Sequence, residues 1–256
     1  MQLQMSDVLG SGYKSKAQIA RRVTEHWAVT HMYCTACIAP RVVPTPCNTQ
    51  AVDFFCDSCG AEYQLKSSTR WSDDRITDAG YEAMMPAVRS DSVPNLLILQ
   101  YTAAWTVRNL LLVPSFFFSE SAVEKRKPLS ATARRAGWIG CNILLSAIAP
   151  DGKIRLVHEG VVSEPATVRE QYALVKPLAR LEPEIRGWTL DVLKVLRALG
   201  QTTFRLSDVY GSEAELFNRH PNNRHVRPKI RQQLQVLRDL GLLRFTGRGQ
   251  YELVKT

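Results

Sequence analysis

Four cysteines constrain this chain more than any other feature. Cys34-x2-Cys37 and Cys56-x2-Cys59 are two short pairs separated by 18 residues. A two-residue gap lets both thiolates of a pair point at one metal ion, and two such knuckles complete a tetrahedron. This is the spacing of a structural zinc site. Four sulfurs leave no open coordination position, so a catalytic zinc is not expected. Free or redox-active thiols are the competing reading. Cys47 and Cys141 are left over and are assigned to ordinary packing. Six cysteines in 256 residues are too few for a disulfide scaffold, and a reducing, cytoplasmic setting is expected. No apolar run approaches the ~20 residues that span a bilayer, so no membrane partner is expected. The stretch Met1 to Asp7 lacks the basic start and apolar run of a secretory leader.

The chain carries 33 Lys and Arg against 24 Asp and Glu, a net charge of +9, which favours a polyanionic partner. The excess is uneven. Residues 1–182 hold a net +3 and residues 183–256 a net +6, so the last quarter carries most of it.

Hydrophobic periodicity divides the chain in the same place. Ile19, Ala20, Val23 and Trp27 predict a helix over 15–30. Ala51 to Phe55 and Ala61 to Lys66 read as short strands around the cysteines. A helix is expected over 76–89. Leu96 to Tyr101, Val107 to Val113 and Lys153 to His158 read as strands. Mixed strands and helices without a strict βαβ beat indicate an α/β (α+β) fold with a mixed sheet. A linker is expected near 178–185, giving domains of 1–182 and 183–256. In the second, helices are expected over Trp188 to Leu199, from a Ser207 cap towards Phe217, and over Arg227 to Leu240. A hairpin with a Gly247-Arg248-Gly249 turn follows. Three helices and a terminal hairpin suggest a winged helix-turn-helix.

Two groups of residues carry possible chemistry. Asp53 precedes the second cysteine pair, and Gln64-Leu65-Lys66 follows on the next strand. Alternation puts Glu62, Gln64 and Lys66 on one face. An acid, then an acid or amide, one spacer and a lysine is the pattern of PD-(D/E)xK nucleases. Oxygen ligands from Asp53 and Gln64 suit Mg²⁺ beside a scissile phosphate. Lys66 offers positive charge to the attacking water and the developing phosphorane. Taken alone, such a pattern also describes exposed charges on an edge hairpin.

The second group is basic. Arg219 to Arg238 contains six Lys and Arg and no acid. Ile230, Leu234 and Leu237 form the apolar stripe of the third helix, with Arg227, Arg231, Gln235 and Arg238 roughly 100° round it. Arg and Gln read base edges bidentately in the major groove, and Gln232 belongs to the same helix. Arg224 and Lys229 suit phosphate contacts, and Arg248 at the hairpin tip suits a neighbouring groove. Arg134, Arg135 and Trp138 lie in a basic, glycine-punctuated loop over 125–141, fit to wedge into or stack on bases. A solvated basic face and a packed tryptophan are the plain alternatives.

At these residues the chain resembles the DpnI-type methyl-directed restriction endonucleases. The resemblance covers most of the length. It is dense at Tyr33-Cys34, Val52-Asp53-Phe54 and Leu65-Lys66-Ser67. It is densest from Arg126 to Leu129, from Ala131 to Ile143, at Arg186-Gly187-Trp188-Thr189 and from Lys229 to Asp239. It implies a PD-(D/E)xK domain with an embedded zinc site, then a winged helix, both taking part in recognising GATC with methylated adenine. Asp53 and Lys66 fall on the family's catalytic positions. Position 64 departs: the family pattern has glutamate, and this chain has Gln64. In that it is similar to Q-x-K branches of the superfamily. An amide carbonyl can still meet Mg²⁺, but it brings no charge. The expectation is therefore a Mg²⁺-dependent nuclease acting as a monomer on adenine-methylated double-stranded DNA. A reader that has lost cleavage through Gln64, and a transcription regulator with an architectural zinc, are the alternatives.

Overall fold

The structure, a computed structural model, describes residues 1–46 and 49–254, so Cys47 lies outside the described residues. Its helices are α1 (Lys16–His31), α2 (Tyr81–Arg89), α3 (Pro165–Val175), α4 (Pro183–Ala198), α5 (Leu206–Tyr210), α6 (Glu213–Arg219) and α7 (Val226–Asp239). The strands are β1 (Val43–Pro44), β2 (Phe54–Phe55), β3 (Glu62–Ser68), β4 (Arg75–Gly80), β5 (Asn95–Tyr101), β6 (Val107–Val113), β7 (Val123–Lys125), β8 (Gly140–Leu144), β9 (Ile154–His158), β10 (Val161–Val162), β11 (Thr203–Arg205), β12 (Leu243–Gly247) and β13 (Gln250–Leu253). The chain forms two compact units. One comprises residues 1–72, 93–115 and 152–173; the other comprises 73–92, 116–151 and everything from Leu174 onward.

The first unit is built on a mixed sheet of order β1-β2-β3-β5-β6-β9-β10. β3 and β5 run parallel; the other neighbours are antiparallel. β5 and β6 are near-continuous apolar runs, as a strand covered on both faces must be. Leu97, Leu99, Leu110 and Leu112 are accordingly buried. α1 is amphipathic and buries Val23, Thr24, Trp27 and Ala28. The Trp27 indole N–H donates to the Gln2 carbonyl at 2.8 Å, so the ring is satisfied as well as packed. The Thr24 and Ser67 hydroxyls meet at 3.1 Å and tie α1 to β3.

The second unit contains a small antiparallel sheet of order β4-β8-β7, the helix α2, and a winged helix. The winged helix comprises α4 to α7 and a three-stranded sheet of order β11-β13-β12. Ile230, Leu234 and Leu237 of α7 are fully buried, as the apolar stripe requires.

The units are discontinuous in sequence. Charged side chains account for this, because α4 is tied to the earlier segments by ion pairs that each have one buried partner. Arg186, 1% exposed, makes two bonds to the Asp91 carboxylate. Arg197 binds Asp151, which is fully buried. Asp191 accepts from Ser121, Arg219 and His220. Removing one partner strands the other charge, at a cost of about 3–5 kcal/mol. Asp151→Ala is therefore expected to lower the thermal unfolding midpoint strongly; a midpoint within a degree of the parent's would contradict this role.

Local structure departs from expectation in several places: the helix expected from Trp188 begins at Pro183, and the strand expected over Ala51 to Phe55 is confined to Phe54–Phe55. The helix expected over 76–89 begins only at Tyr81, because Arg75 to Gly80 pairs with β8 and Gly80 lies opposite Gly140. The helix expected from Ser207 to Phe217 is two short helices broken at Gly211 and Ser212. Ser207 does not cap it; instead the Asp208 carboxylate accepts from the Arg205 amide at 2.7 Å. α3 occupies a stretch whose weak apolar pattern had no helical reading.

Candidate functional site

Asp53 and the 64–66 stretch come together through backbone pairing. β2 pairs with β3 only at Phe54 and Phe55, opposite Tyr63 and Glu62. Beyond that point the β2 side of β3 is no longer laddered, and Asp53 fills the gap. Its amide donates to the Tyr63 carbonyl at 2.9 Å. Its Oδ2 accepts the Leu65 amide at 2.8 Å. The carboxylate is thus fixed beside the residue between Gln64 and Lys66. Those two share one face of β3, and all three side chains are partly exposed. The stretch thus brings a carboxylate, an amide and an ammonium into neighbouring positions on β3 and its β2 side. The two oxygen donors are of the hard type that Mg²⁺ takes.

The cysteines form a second centre in the same unit. The sulfurs of Cys34, Cys37, Cys56 and Cys59 all lie within 4.8 Å of one another. Cys34 to Cys59 and Cys37 to Cys56 are each 3.6 Å apart. Tetrahedral zinc with ~2.3 Å bonds separates its sulfurs by about 3.8 Å, so the cluster fits that ion. Burial pushes the Cys34 thiol up. The Cys56 thiol is also raised by burial, but the backbone amides of Cys59 and Ser58 outweigh this and bring it down to about 7. Burial pushes the Cys59 thiol up to about 12, and a metal would take these groups as thiolates.

Tyr63, unnoticed in the sequence, connects the two centres. It is fully buried, and burial raises its hydroxyl well above the ordinary tyrosine value. The hydroxyl lies 3.3 Å from the Cys34 sulfur and accepts the Thr35 amide at 3.1 Å. One residue on, the same strand presents Gln64. Arg169 of α3 closes the cluster from outside, donating to the carbonyls of Cys34 and Ala39 at 3.1 Å each. Its signal in the sequence was nil, since it lies 135 residues from Cys34.

The candidate DNA-contacting residues lie in the second unit. Arg134 and Arg135 are exposed on the loop between β7 and β8, which is shorter at both ends than the expected 125–141, while Trp138 is half-buried. The indole lies against the Gly80–Gly140 pair: a Cβ on Gly140 would meet ring carbons at 2.9 Å, and one on Gly80 would meet Nε1 at 3.4 Å. The Arg135 guanidinium stacks 4.8 Å from the ring centroid. Trp138 is therefore seated on a glycine platform with an edge in solvent, between the wedge and the core tryptophan that the sequence left open.

On α7, Arg227, Arg231, Gln232 and Gln235 are exposed, as are Arg224 before it and Arg248 at the hairpin tip. Lys229 is less free, with its ammonium 5.9 Å over the Trp188 ring. Trp188 in turn stacks on His220 at 3.7 Å. Arg238 is turned to Asp239 and to the Phe245 ring. Cys141 is buried, in keeping with a packing role, and its sulfur donates to the Ala79 carbonyl. Among the described residues no helix is long and apolar enough to cross a membrane.

A mixed-sheet core with a four-cysteine cluster, and a helix-turn-helix with an exposed basic face, define a protein that acts on DNA. Residues 1–180 match the DpnI model, described as the Dam-replacing family, and residues 184–253 match the Dam-replacing HTH domain. The chain belongs to the Dam-replacing family, a family of restriction endonucleases.

Proposed function

We propose that this protein is a Mg²⁺-dependent endonuclease that hydrolyses double-stranded DNA at GATC sites carrying 6-methyladenine. The observation that supports the reading is the bond from the Leu65 amide, between Gln64 and Lys66 in the chain, to the Asp53 carboxylate. Asp53 and Gln64 would hold Mg²⁺, which supplies Lewis-acid polarisation of the phosphate and a more acidic bound water. Lys66 holds positive charge where the water attacks and where phosphorane charge develops. The zinc cluster is architectural: it braces Tyr63 and so β3. The nuclease domain is taken as residues 1–182 and the winged-helix domain as 183–256, and the active form is a monomer acting in the cytoplasm.

Arg227, Arg231, Gln232 and Gln235 read base edges from α7, while Arg224, Lys229 and Arg248 contact phosphates. Arg134, Arg135 and Trp138 form a second contact. One buried methyl group is worth on the order of 1 kcal/mol, too little for strict discrimination by a single pocket. Two readers of the mark, one at Trp138 and one on the winged helix, multiply the selectivity.

Gln64 favours a second reading, a methyl-adenine reader with weak or no cleavage, because an amide binds Mg²⁺ less tightly than a carboxylate. Gln64→Glu separates the two. It is expected to lower the Mg²⁺ concentration for half-maximal cleavage several-fold. An unchanged Mg²⁺ requirement would remove residue 64 from the ligand set, and cleavage appearing only in the variant would establish the reader.

A further inference from the structure

Neither arginine proposed to read bases from α7 stands free. The Arg227 Nε donates to the Glu213 carboxylate at 2.7 Å, and its guanidinium lies 5.0 Å over the Tyr210 ring. The Arg231 Nη1 donates to the Tyr210 hydroxyl at 2.9 Å. Tyr210 ends α5 and Glu213 opens α6, so the turn between these helices supplies both contacts.

The Glu213–Arg227 pair is exposed, 38% and 58%, and such pairs add little to stability. Electrostatics also argues against an acid beside a helix offered to phosphates. The geometry supplies a reason for it. Occupying Nε leaves the two terminal nitrogens of Arg227 as an end-on fork. Occupying Nη1 leaves Nε and Nη2 of Arg231 as a side-on fork. Either fork matches the O6 and N7 acceptors of guanine. Holding both side chains before DNA arrives also reduces the rotamer entropy lost on binding.

We propose that Tyr210 and Glu213 are positioning residues that orient Arg227 and Arg231 for base readout, and so set sequence preference rather than general affinity for DNA. This rests on the reading of α7 as the recognition helix. The test uses the full-length protein with Glu213→Gln and Tyr210→Phe. Binding is measured by fluorescence anisotropy to an adenine-methylated GATC duplex and to a scrambled duplex, across a salt series without Mg²⁺.

Glu213→Gln removes a negative charge, so affinity for the scrambled duplex should hold or rise. Affinity for the specific duplex should nevertheless fall, reducing the ratio about 10-fold. Tyr210→Phe keeps the ring under Arg227 and loses only the bond to Arg231, so a smaller loss, about 3-fold, is expected. Thermal midpoints should not move. Equal strengthening on both duplexes in Glu213→Gln, or an unchanged ratio in both variants, would overturn the proposal. Arg227→Ala identifies which reading has failed. If it loses the preference while Glu213→Gln keeps it, only the positioning role is wrong. If Arg227→Ala also keeps the preference, the assignment of α7 falls with it.

Discussion

Asp53→Ala should abolish cleavage of adenine-methylated DNA while leaving binding to the same duplex intact. Two consequences of the substitution need to be separated. The carboxylate is a proposed Mg²⁺ ligand, and its Oδ2 also satisfies the Leu65 amide at the open side of β3. Alanine removes both. Asn removes the charge but keeps an oxygen that can accept the Leu65 N–H, so it retains the local structure. Both variants should lose at least the ~10²–10³-fold that removal of one transition-state contact costs. Equal losses in single-turnover cleavage would assign the effect to the charge. Full cleavage by Asp53→Asn would mean that the residue only braces the strand. Loss of binding in both variants would point to a structural or DNA-contacting role instead.

Removal of zinc should have the largest effect on stability. A four-thiolate site of this kind contributes folding free energy directly, about 10–16 kcal/mol in small zinc peptides. That matches or exceeds the ~5–15 kcal/mol by which most domains are stable. Cys37→Ser should therefore yield protein without its equivalent of zinc and with the β2–β3 region unfolded. Cleavage should be lost with it, although Cys37 is not proposed to touch DNA. The route is short: Cys56 follows Asp53 by three residues, and the Tyr63 hydroxyl beside Cys34 anchors the strand carrying Gln64 and Lys66. Zinc content by mass spectrometry under native conditions and hydrogen exchange over 54–68 check this. A variant that retains zinc, or loses it with β3 still protected, would show that the cluster is not the brace described.

What could be read from the residues beforehand follows a physical line. Local patterns were legible. The x2 cysteine pairs meet at one point, and Gln64, Leu65 and Lys66 lie on one strand, β3, although their burial does not alternate. The apolar stripe Ile230, Leu234 and Leu237 is buried where a period of 3.6 places it. The long-range features were not legible. Gly80 and Gly140 lie 60 positions apart, and only their pairing makes the platform under Trp138. Arg186 and Asp91, or Arg197 and Asp151, gave no periodic sign that charges would bind α4 to earlier segments. Tyr63 gave no sign of its role, because its partners belong to another loop. Arg75 to Gly80 contains Ile and Thr, which suit a strand, but a helical reading over 76–89 absorbed them.

Methyl-directed cleavage can be observed on one plasmid. A single plasmid is prepared with and without adenine methylation at GATC, and each form is incubated with the purified protein and Mg²⁺. GATC-spaced fragments are expected from the methylated plasmid alone, with none when Mg²⁺ is chelated. Equal cutting of both plasmids, or no cutting of the methylated one by protein that still binds it, would contradict the account.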